Sequence, residues 1–378
     1  MMQSNTTPRT SGMPLADETA SASTTSIQPT LETAADEASR HERELLDSLI
    51  AAVDRRISAE RRPLATYRVQ FNGQCRFGEA TAFVPYLYTL GISDLYASPF
   101  LKAAPGSTHG YDICDHGRLN EEIGEMDDLV SLSSALREHD MGLIADVVPN
   151  HMCNIPGLNA WWQDVLENGP SSRFSNYFDI DWMPLKPDLA NKVLLPVLGD
   201  QFGRVLERGE LKVRYRNGSF WLEYYEKQFP LAPRSYLLIL GEGLAALQEK
   251  AGAENLDLLE FLSIITAIRN LPPRTESDPE RLDERRREKE VIKRRLHELE
   301  DRSDTIAEYI EECVAAMNGQ AGDSASFDRL DRLLDDQAYR LAYWRVAADE
   351  INYRRFSTST NWRRSARRIR RSSPRRTA

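Results

Sequence analysis

The stretch that most constrains the fold is residues 142–152, which read GLIADVVPNHM. It begins with an apolar run that is too short for a helix and rich in β-branched residues, which predicts a buried parallel strand. Asp146, Asn150 and His151 come at the carboxyl end of this strand. In a β/α barrel, side chains at these strand ends form the active face. A core strand followed by a solvent-exposed Asn-His turn is the alternative interpretation.

Two further strands, each followed by a helix, precede this stretch along the chain. The pattern of apolar residues predicts strands at 65–71 and 92–100 and helices at 77–90 and 126–139. A loop rich in Pro, Gly, Ser and Thr follows the second strand and ends in HGYDICD at 109–115. Strands that alternate with helices at this pace indicate an α/β fold with a parallel sheet.

The rest of the chain divides by composition. Residues 281–302 are mostly Glu, Arg and Lys, which predicts a solvated helical arm, with a partner-binding coiled coil as the alternative. The expected segments are a disordered leader at 1–40, a helix and the first β/α units at 41–152, an aromatic-rich inserted subdomain at 153–242, a charged helical subdomain at 243–350, and a return towards the sheet at 351–378 that includes an Arg-rich tail.

Composition excludes several classes of function. The net charge of −10 disfavours a nucleic-acid partner for the folded body. No apolar run is long enough for a membrane span, and the N-terminus lacks the pattern of a signal peptide. The four cysteines lie far apart, without metal-ligand spacing. Free thiols in a reducing cytoplasm are therefore the expectation.

Two polar segments predict a ligand site. If the second and third strands are neighbours, the loop at 109–115 faces the strand end at 146–151. Together they offer two imidazoles, a tyrosine ring and several carboxylates, which suit a neutral, polyhydroxylated ligand. The chain shows neither a phosphate-binding loop nor a serine nucleophile elbow, and we predict no cofactor.

Two of these motifs resemble a known superfamily. DVVPNH at 146–151 resembles the first signature of the α-amylase superfamily of glycoside hydrolases, and HGYD at 109–112 resembles its substrate loop. Further segments are similar to the maltooligosyl trehalose synthase family and place the resemblance at about 64–356. They are YRVQF at 67–71, SPF at 98–100, GSTHGY at 106–111, LLPVLG at 194–199, FPLAP at 229–233, YRLAYWRV at 339–346 and EINYRR at 350–355.

The resemblance implies a fold and an activity. The fold would be the N-terminal part of a TIM (β/α)8 barrel, about three strands, with a long mixed and helical insertion after the third. The family converts the reducing-end α-1,4 linkage of a maltooligosaccharide into an α,α-1,1 linkage, a retaining reaction that uses two carboxyl groups. By the same resemblance, His109, Tyr111, Asp112 and His151 would line the subsite for the reacting sugar, with Tyr111 as the stacking platform. Asp146 and Asn150 would support the strand end, and no metal is expected.

The chain also departs from the family. The superfamily's nucleophilic Asp and acid/base Glu follow the fourth and fifth strands, which we expect beyond Phe356. The last 22 residues hold eight arginines and no acid, and reading them one base out of frame can yield a family-like segment. We therefore expect an incomplete barrel after a frame slip and an inactive chain. The alternatives are a non-catalytic glucan-binding remnant, a rewired Asp112–Asp146 pair, or nucleic-acid binding by the tail.

Overall fold

The computed structural model describes residues 31–59, 62–155, 157–252 and 254–354. The chain divides into two compact units, 1–62 and 63–378. In the first unit, helix α1 covers Leu31–Ala59 and contains the helix predicted from residue 41. Because α1 begins at Leu31, the prediction of a disordered leader at 1–40 is wrong for residues 31–40. Residues 1–30 and the Arg-rich tail lie outside the described residues. Within the described part of the chain, no helix is both long enough and apolar enough to cross a membrane.

The second unit begins with the predicted alternation of strands and helices. The parallel sheet has the order β1-β2-β5, and its register sets Thr66 beside Asp94 and Asp94 beside Gly142. The carboxyl ends of the three strands therefore lie level at one edge. The elements are β1 (Thr66–Val69), α2 (Phe77–Thr89), β2 (Asp94–Ala97), β3 (Leu101–Ala103), β4 (Ile113–Leu119), α3 (Met126–Glu138) and β5 (Gly142–Ala145).

Both helices of this region pack with an apolar stripe against the sheet. Phe77, Ala80, Val84 and Leu87 of α2 follow helical spacing, and each is at most 2% exposed. The backbone N–H of Arg76 donates to the Glu79 carboxylate at 2.9 Å, which satisfies one of the amide groups at the start of α2. The buried apolar side chains of α2 and α3 pack with those of the strands in one hydrophobic cluster.

The third strand is shorter and more exposed than predicted. β5 ends at Ala145 instead of continuing to residue 152, and its four residues are half-buried or exposed. It pairs with β2 alone among the described strands, so one of its edges lacks a partner there. The prediction of a buried strand is therefore wrong for the described structure. The predicted loop after β2 also contains structure, because β3 and β4 form an antiparallel hairpin.

The inserted region has its own large core. β6 and β10 pair in parallel, and β7, β8 and β9 form an antiparallel meander, with helices packed around both. The elements are α4 (Ala160–Asn168), β6 (Val193–Leu198), α5 (Phe202–Glu207), β7 (Leu211–Arg216), β8 (Ser219–Tyr224), β9 (Lys227–Pro230), α6 (Tyr236–Leu240), α7 (Leu244–Ala251), α8 (Leu256–Asn270), α9 (Pro279–Arg302), α10 (Asp304–Met317), α11 (Asp328–Asp335), β10 (Tyr339–Tyr343) and α12 (Ala347–Glu350).

The charged segment predicted as a solvated arm is instead a packed helix. In α9, Ile292, Leu296 and Leu299 are at most 1% exposed and lie in the large core. Lys289 lies on the same helix and is 6% exposed. Its Nζ atom lies 2.9 Å from the buried carboxylate of Glu167 on α4. The prediction of a solvated arm is wrong because an acid on another element, distant in sequence, compensates the buried cation.

The segment predicted as a charged helical subdomain, 243–350, also contains a strand. α11 ends at Asp335, and β10 runs parallel to β6 with Tyr339 opposite Val193. Tyr339 and Leu341 are buried on one side, whereas Arg340 between them is exposed. This period of two is typical of a strand, and the parallel partner lies about 150 residues away in sequence.

Candidate functional site

The structure brings the predicted site residues together at the carboxyl edge of the sheet. Asp146 directly follows β5, and its Oδ2 atom accepts a 2.5 Å hydrogen bond from the hydroxyl of Tyr111. The hydroxyl of Tyr96, on β2, donates to the same oxygen at 3.3 Å. The guanidinium of Arg68, on β1, lies 3.8 Å from that oxygen and donates to the Tyr111 hydroxyl at 3.1 Å. Three neighbouring strands thus hold the hydroxyl end of one exposed tyrosine.

The two histidines lie on either side of Tyr111. The Nδ1 atom of His109 accepts a hydrogen bond from the Tyr111 backbone N–H at 3.0 Å, and the two rings stack with centroids 6.1 Å apart. The His151 ring nitrogen Nε2 lies 3.0 Å from the Tyr111 carbonyl and therefore donates to it. The Asn150 amide lies 3.4 Å from the other ring nitrogen of His151. His109 and His151 therefore both hydrogen-bond to the backbone of Tyr111 and hold it in place.

Asp112 is placed next to this cluster but supports the loop. Its Oδ1 atom accepts a 2.5 Å hydrogen bond from the Ser107 hydroxyl, which itself accepts from the Gly110 backbone N–H. His109 Nδ1 lies 3.9 Å from the same carboxylate oxygen. Asp112 therefore closes the turn that presents His109 and Tyr111.

The predicted set lacked three residues of the site. Arg68, Gln70 and Tyr96 complete it: the Gln70 amide donates to the His109 carbonyl at 3.1 Å, and Arg68 donates to Gln70 at 2.7 Å. A signal existed in the sequence, because Arg68 and Gln70 are alternate residues of the strand predicted at 65–71 and would therefore point to one face. The pairing of Arg68 with Tyr96 across two strands required the register of the sheet.

The Tyr111 phenol is held in its neutral form. Its hydrogen bond to Asp146 and partial burial raise the pKa of Tyr111, while Arg68 opposes the rise. The hydroxyl therefore stays a hydrogen-bond donor at neutral pH, and the ring is 37% exposed. The geometry leaves an aromatic surface, and not a nucleophile, facing outward from the cluster.

A disulfide corrects the expectation of free thiols. Cys114 and Cys153 are bonded, with Cα atoms 5.1 Å apart, whereas Cys75 and Cys313 are free. The Cys153 N–H donates to the Ile113 carbonyl at 2.7 Å, so tertiary contact between β4 and the segment after β5 brings the sulfurs together. A separation of 39 residues along the chain carried no signal of this pairing.

A cavity of about 430 Å³ adjoins the cluster. Asn150 and His151 form part of its wall, and aromatic side chains of the inserted region form another part. Trp161 stacks on Phe174 at 5.1 Å with the rings 8° from parallel, and Tyr177 meets Trp161 edge-on. Asn159 caps α4 by accepting from the N–H groups of Trp161 and Trp162, which places both indoles. The aromatic lining residues are Trp161, Trp162, Tyr177, Phe178 and Tyr353.

Gly110 allows a matched test of how the Tyr111 loop is held. Gly106 and Gly110 both have positive φ angles, 71° and 74°. A Cβ atom added at Gly110 would lie 2.3 Å from the Pro99 carbonyl oxygen, whereas a Cβ atom added at Gly106 would have no atom within 4 Å. We expect Gly106→Ala to lower the free energy of unfolding by about 1–2 kcal/mol. Gly110→Ala adds a collision and should cost at least about 3 kcal/mol in urea denaturation. Equal losses for the two variants would contradict a close Gly110–Pro99 packing.

Comparisons with known proteins confirm the resemblance predicted from the sequence. Residues 80–229 match the family described as the alpha amylase catalytic domain. A Mycobacterium tuberculosis protein assigned as a maltooligosyl trehalose synthase is 41% identical over 171 residues, which covers 41% of this chain and 22% of that protein. The intracellular maltogenic amylase of Bacillus subtilis is 33% identical over 103 residues, 27% of this chain and 17% of that enzyme. The match thus spans about a fifth of the length of these relatives.

Solved structures give a weaker likeness. The maltooligosyltrehalose synthase from Arthrobacter ramosus is 28% identical and covers 78% of this chain and 26% of that one, with a TM-score of 0.46. Another crystal structure of a maltooligosyl trehalose synthase is 26% identical and covers 78% of this chain and 27% of that one, with a TM-score of 0.47. The resemblance therefore rests on the sequence matches, since a TM-score below 0.5 does not establish a shared fold.

Proposed function

We propose that this chain, similar over 171 residues to a protein assigned as a maltooligosyl trehalose synthase, supplies the α-1,4-glucan binding edge of such an enzyme. The single observation that carries the proposal is the gathering of Tyr111, His109 and His151 at one sheet edge, around a hydroxyl fixed on Asp146. In this proposal the parallel sheet is the first part of a TIM barrel. The whole enzyme would convert the reducing-end α-1,4 linkage of a maltooligosaccharide to α,α-1,1.

The chemistry of the cluster suits a sugar. A neutral ring that is anchored by its hydroxyl keeps its face at a fixed angle, which lets it cover the apolar side of a pyranose with little loss of side-chain entropy. The imidazoles and the Asn150 amide offer hydrogen bonds to hydroxyl groups. The neighbouring cavity, which Trp161 and Tyr177 help to line, would hold further glucose units of the saccharide.

Both carboxylates of the cluster are engaged in supporting contacts. Asp146 accepts from two tyrosine hydroxyls and faces Arg68, while Asp112 accepts from Ser107. We therefore assign Asp146 the supporting role that the resemblance implies. We assign Asp112, which the resemblance places in the lining of the subsite, to holding the loop, and we do not assign the two as a nucleophile and acid pair. This observation favours a second candidate, a glucan-binding role without turnover by the residues described. The cytoplasmic location stays a prediction.

Maltopentaose binding tests the proposal. We expect saturable binding, measured by calorimetry or by quenching of tryptophan fluorescence. Tyr111→Ala should weaken it by about 2 kcal/mol, roughly thirtyfold, because aromatic anchors dominate binding surfaces. Tyr111→Phe keeps the ring face and should retain more of the affinity. Tyr86→Ala removes a tyrosine on α2 that is 63% exposed, more than the 37% of Tyr111, and is the control, with unchanged affinity expected.

The outcomes separate the two candidates. Binding without conversion of maltopentaose to a non-reducing product supports the glucan-binding role for this chain. Binding together with such a product supports the synthase activity. If maltopentaose does not bind, or if Tyr111→Ala and Tyr86→Ala behave alike, the cluster is not the saccharide site.

A further inference from the structure

The Cys114–Cys153 disulfide joins the two segments that carry the candidate site. We call residues 104–115 the hairpin segment and residues 146–155 the strand-end segment. Cys114 lies two residues after Asp112, and Cys153 lies two residues after His151. The bond therefore connects the backbone that presents Tyr111 to the backbone that presents its partners.

Hydrogen bonds also connect these two segments. They are the Cys153 N–H to the Ile113 carbonyl, the His151 ring to the Tyr111 carbonyl, and the Tyr111 hydroxyl to Asp146. Each contributes little on its own where water competes for the same groups. The two cysteines pack with Ala104 in a small apolar cluster that is separate from the two larger cores. The disulfide is thus the strongest link that holds the site together.

One cysteine of the bond lines the candidate saccharide cavity. Cys114 and Cys153 are 3% and 8% exposed, which protects them from bulk solvent. Cys153 nevertheless lines the cavity of about 430 Å³ beside His151. A small dithiol that enters the cavity would come next to Cys153, whereas a saccharide that fills the cavity would cover this residue.

We propose that Cys114 and Cys153 form a thiol–disulfide switch that sets the affinity of the candidate saccharide site. A thiolate of a dithiol reductant attacks Cys153 Sγ, the disulfide breaks, and Cys114 leaves as a thiolate that takes up a proton. The second thiol of the reductant then displaces Cys153, so two electrons and two protons pass to the protein and the reductant becomes a disulfide. The inference rests on the proposed saccharide binding.

Reduction frees the strand-end segment from the hairpin segment. His151 and Asp146 then hold Tyr111 by hydrogen bonds alone, and the site spends less time in its binding arrangement. The apparent affinity for saccharide falls in proportion to the fraction of time that the site spends in its binding arrangement. Because coupling between two equilibria is reciprocal, bound saccharide must in turn stabilise the disulfide.

The test compares maltopentaose binding to the full chain before and after reduction with dithiothreitol. We expect about tenfold weaker binding in the reduced form. The same titration on Cys114→Ser/Cys153→Ser should match the reduced form and show no response to dithiothreitol. Cys75→Ser/Cys313→Ser removes the two free thiols and is the matched control, in which the response to dithiothreitol persists. Equal affinity of the oxidised and reduced chains overturns the switch.

A second measurement follows the reduction of the disulfide directly. Saturating maltopentaose should slow the reduction of Cys114–Cys153 about tenfold, as read by alkylation and mass spectrometry. Full alkylation of both cysteines in the untreated chain overturns the proposal, because no disulfide is then present to be switched.

Hydrogen exchange tests the link without any ligand. Among amides that exchange by local opening, reduction should speed exchange about tenfold in the hairpin and strand-end segments and leave the β7–β9 meander unchanged. Unchanged exchange in the two segments overturns the switch. If neither redox state binds maltopentaose, the proposed saccharide site fails, while the exchange result still decides whether the disulfide restrains the two segments.

Discussion

Glu167→Gln is expected to lower the free energy of unfolding by about 3–5 kcal/mol, because it leaves a buried lysine without its main counter-charge. Glu167 is 6% exposed and forms ion pairs with Lys289, at 2.9 Å, and with Lys293. Asp164 also approaches Lys289, at 3.2 Å, but is more exposed and does not replace the lost charge. Urea denaturation of the oxidised chain measures the loss.

The matched control is Glu290→Gln. Glu290 contacts the same two lysines, yet its side chain is 62% exposed. Solvent screens such a pair, so the loss should be no more than about 1 kcal/mol. If the two variants lost the same stability, burial of the Glu167 network would be contradicted.

The same network predicts a dependence on pH. Burial would raise the pKa of Glu167, but Lys293 and Lys289 outweigh it and lower the pKa from 4.5 to about 2. A folded-state pKa below the unfolded value means that the stabilisation is complete above pH 4.5 and is lost as the pH falls to about 2. The stability gap between the parent chain and Glu167→Gln should therefore shrink across that window. A constant gap from pH 6 to pH 2.5 would argue against the lowered pKa.

Reduction of Cys114–Cys153 is the second large expected loss of stability. The bond closes a loop of 39 residues, and restricting the unfolded chain by a loop of that length stabilises the folded state by roughly 4 kcal/mol. Reduced chain should therefore unfold at lower urea concentration than oxidised chain. In Cys114→Ser/Cys153→Ser, which lacks the bond, treatment with a reductant should not lower the urea concentration at which the chain unfolds.

An independent check separates this effect from the free thiols. Cys75→Ser/Cys313→Ser retains the disulfide and should show the full difference between oxidised and reduced chains. A difference that disappears in this variant would assign the effect to Cys75 or Cys313 instead.

Local pattern in the sequence was enough for the β/α region and for the expectation that the candidate site residues lie close together. The helical spacing of Phe83, Leu87 and Leu90 predicted α2, although Phe83 and Leu90 are exposed and the buried stripe runs through Leu87 on another face. β1 and β2 lie within the strands predicted for them. His109, Tyr111, Asp112, Asp146, Asn150 and His151 are gathered as expected, since strand ends of a parallel sheet meet at one edge. These features depend on residues that are close in sequence or on a general rule of topology.

Tertiary structure alone decided the features that depend on distant partners. The cysteine pairing, the burial of Lys289 against Glu167 and the pairing of β10 with β6 each join residues separated by 39 or more positions. The sequence of a charged helix predicts solvent exposure, because the acid that compensates its buried lysine lies on another element. A strand likewise depends on a neighbouring strand to pair its backbone hydrogen-bonding groups. The sequence by itself therefore determined the local elements and the chemistry of the site, whereas the contacts that hold them in place were set by the tertiary structure.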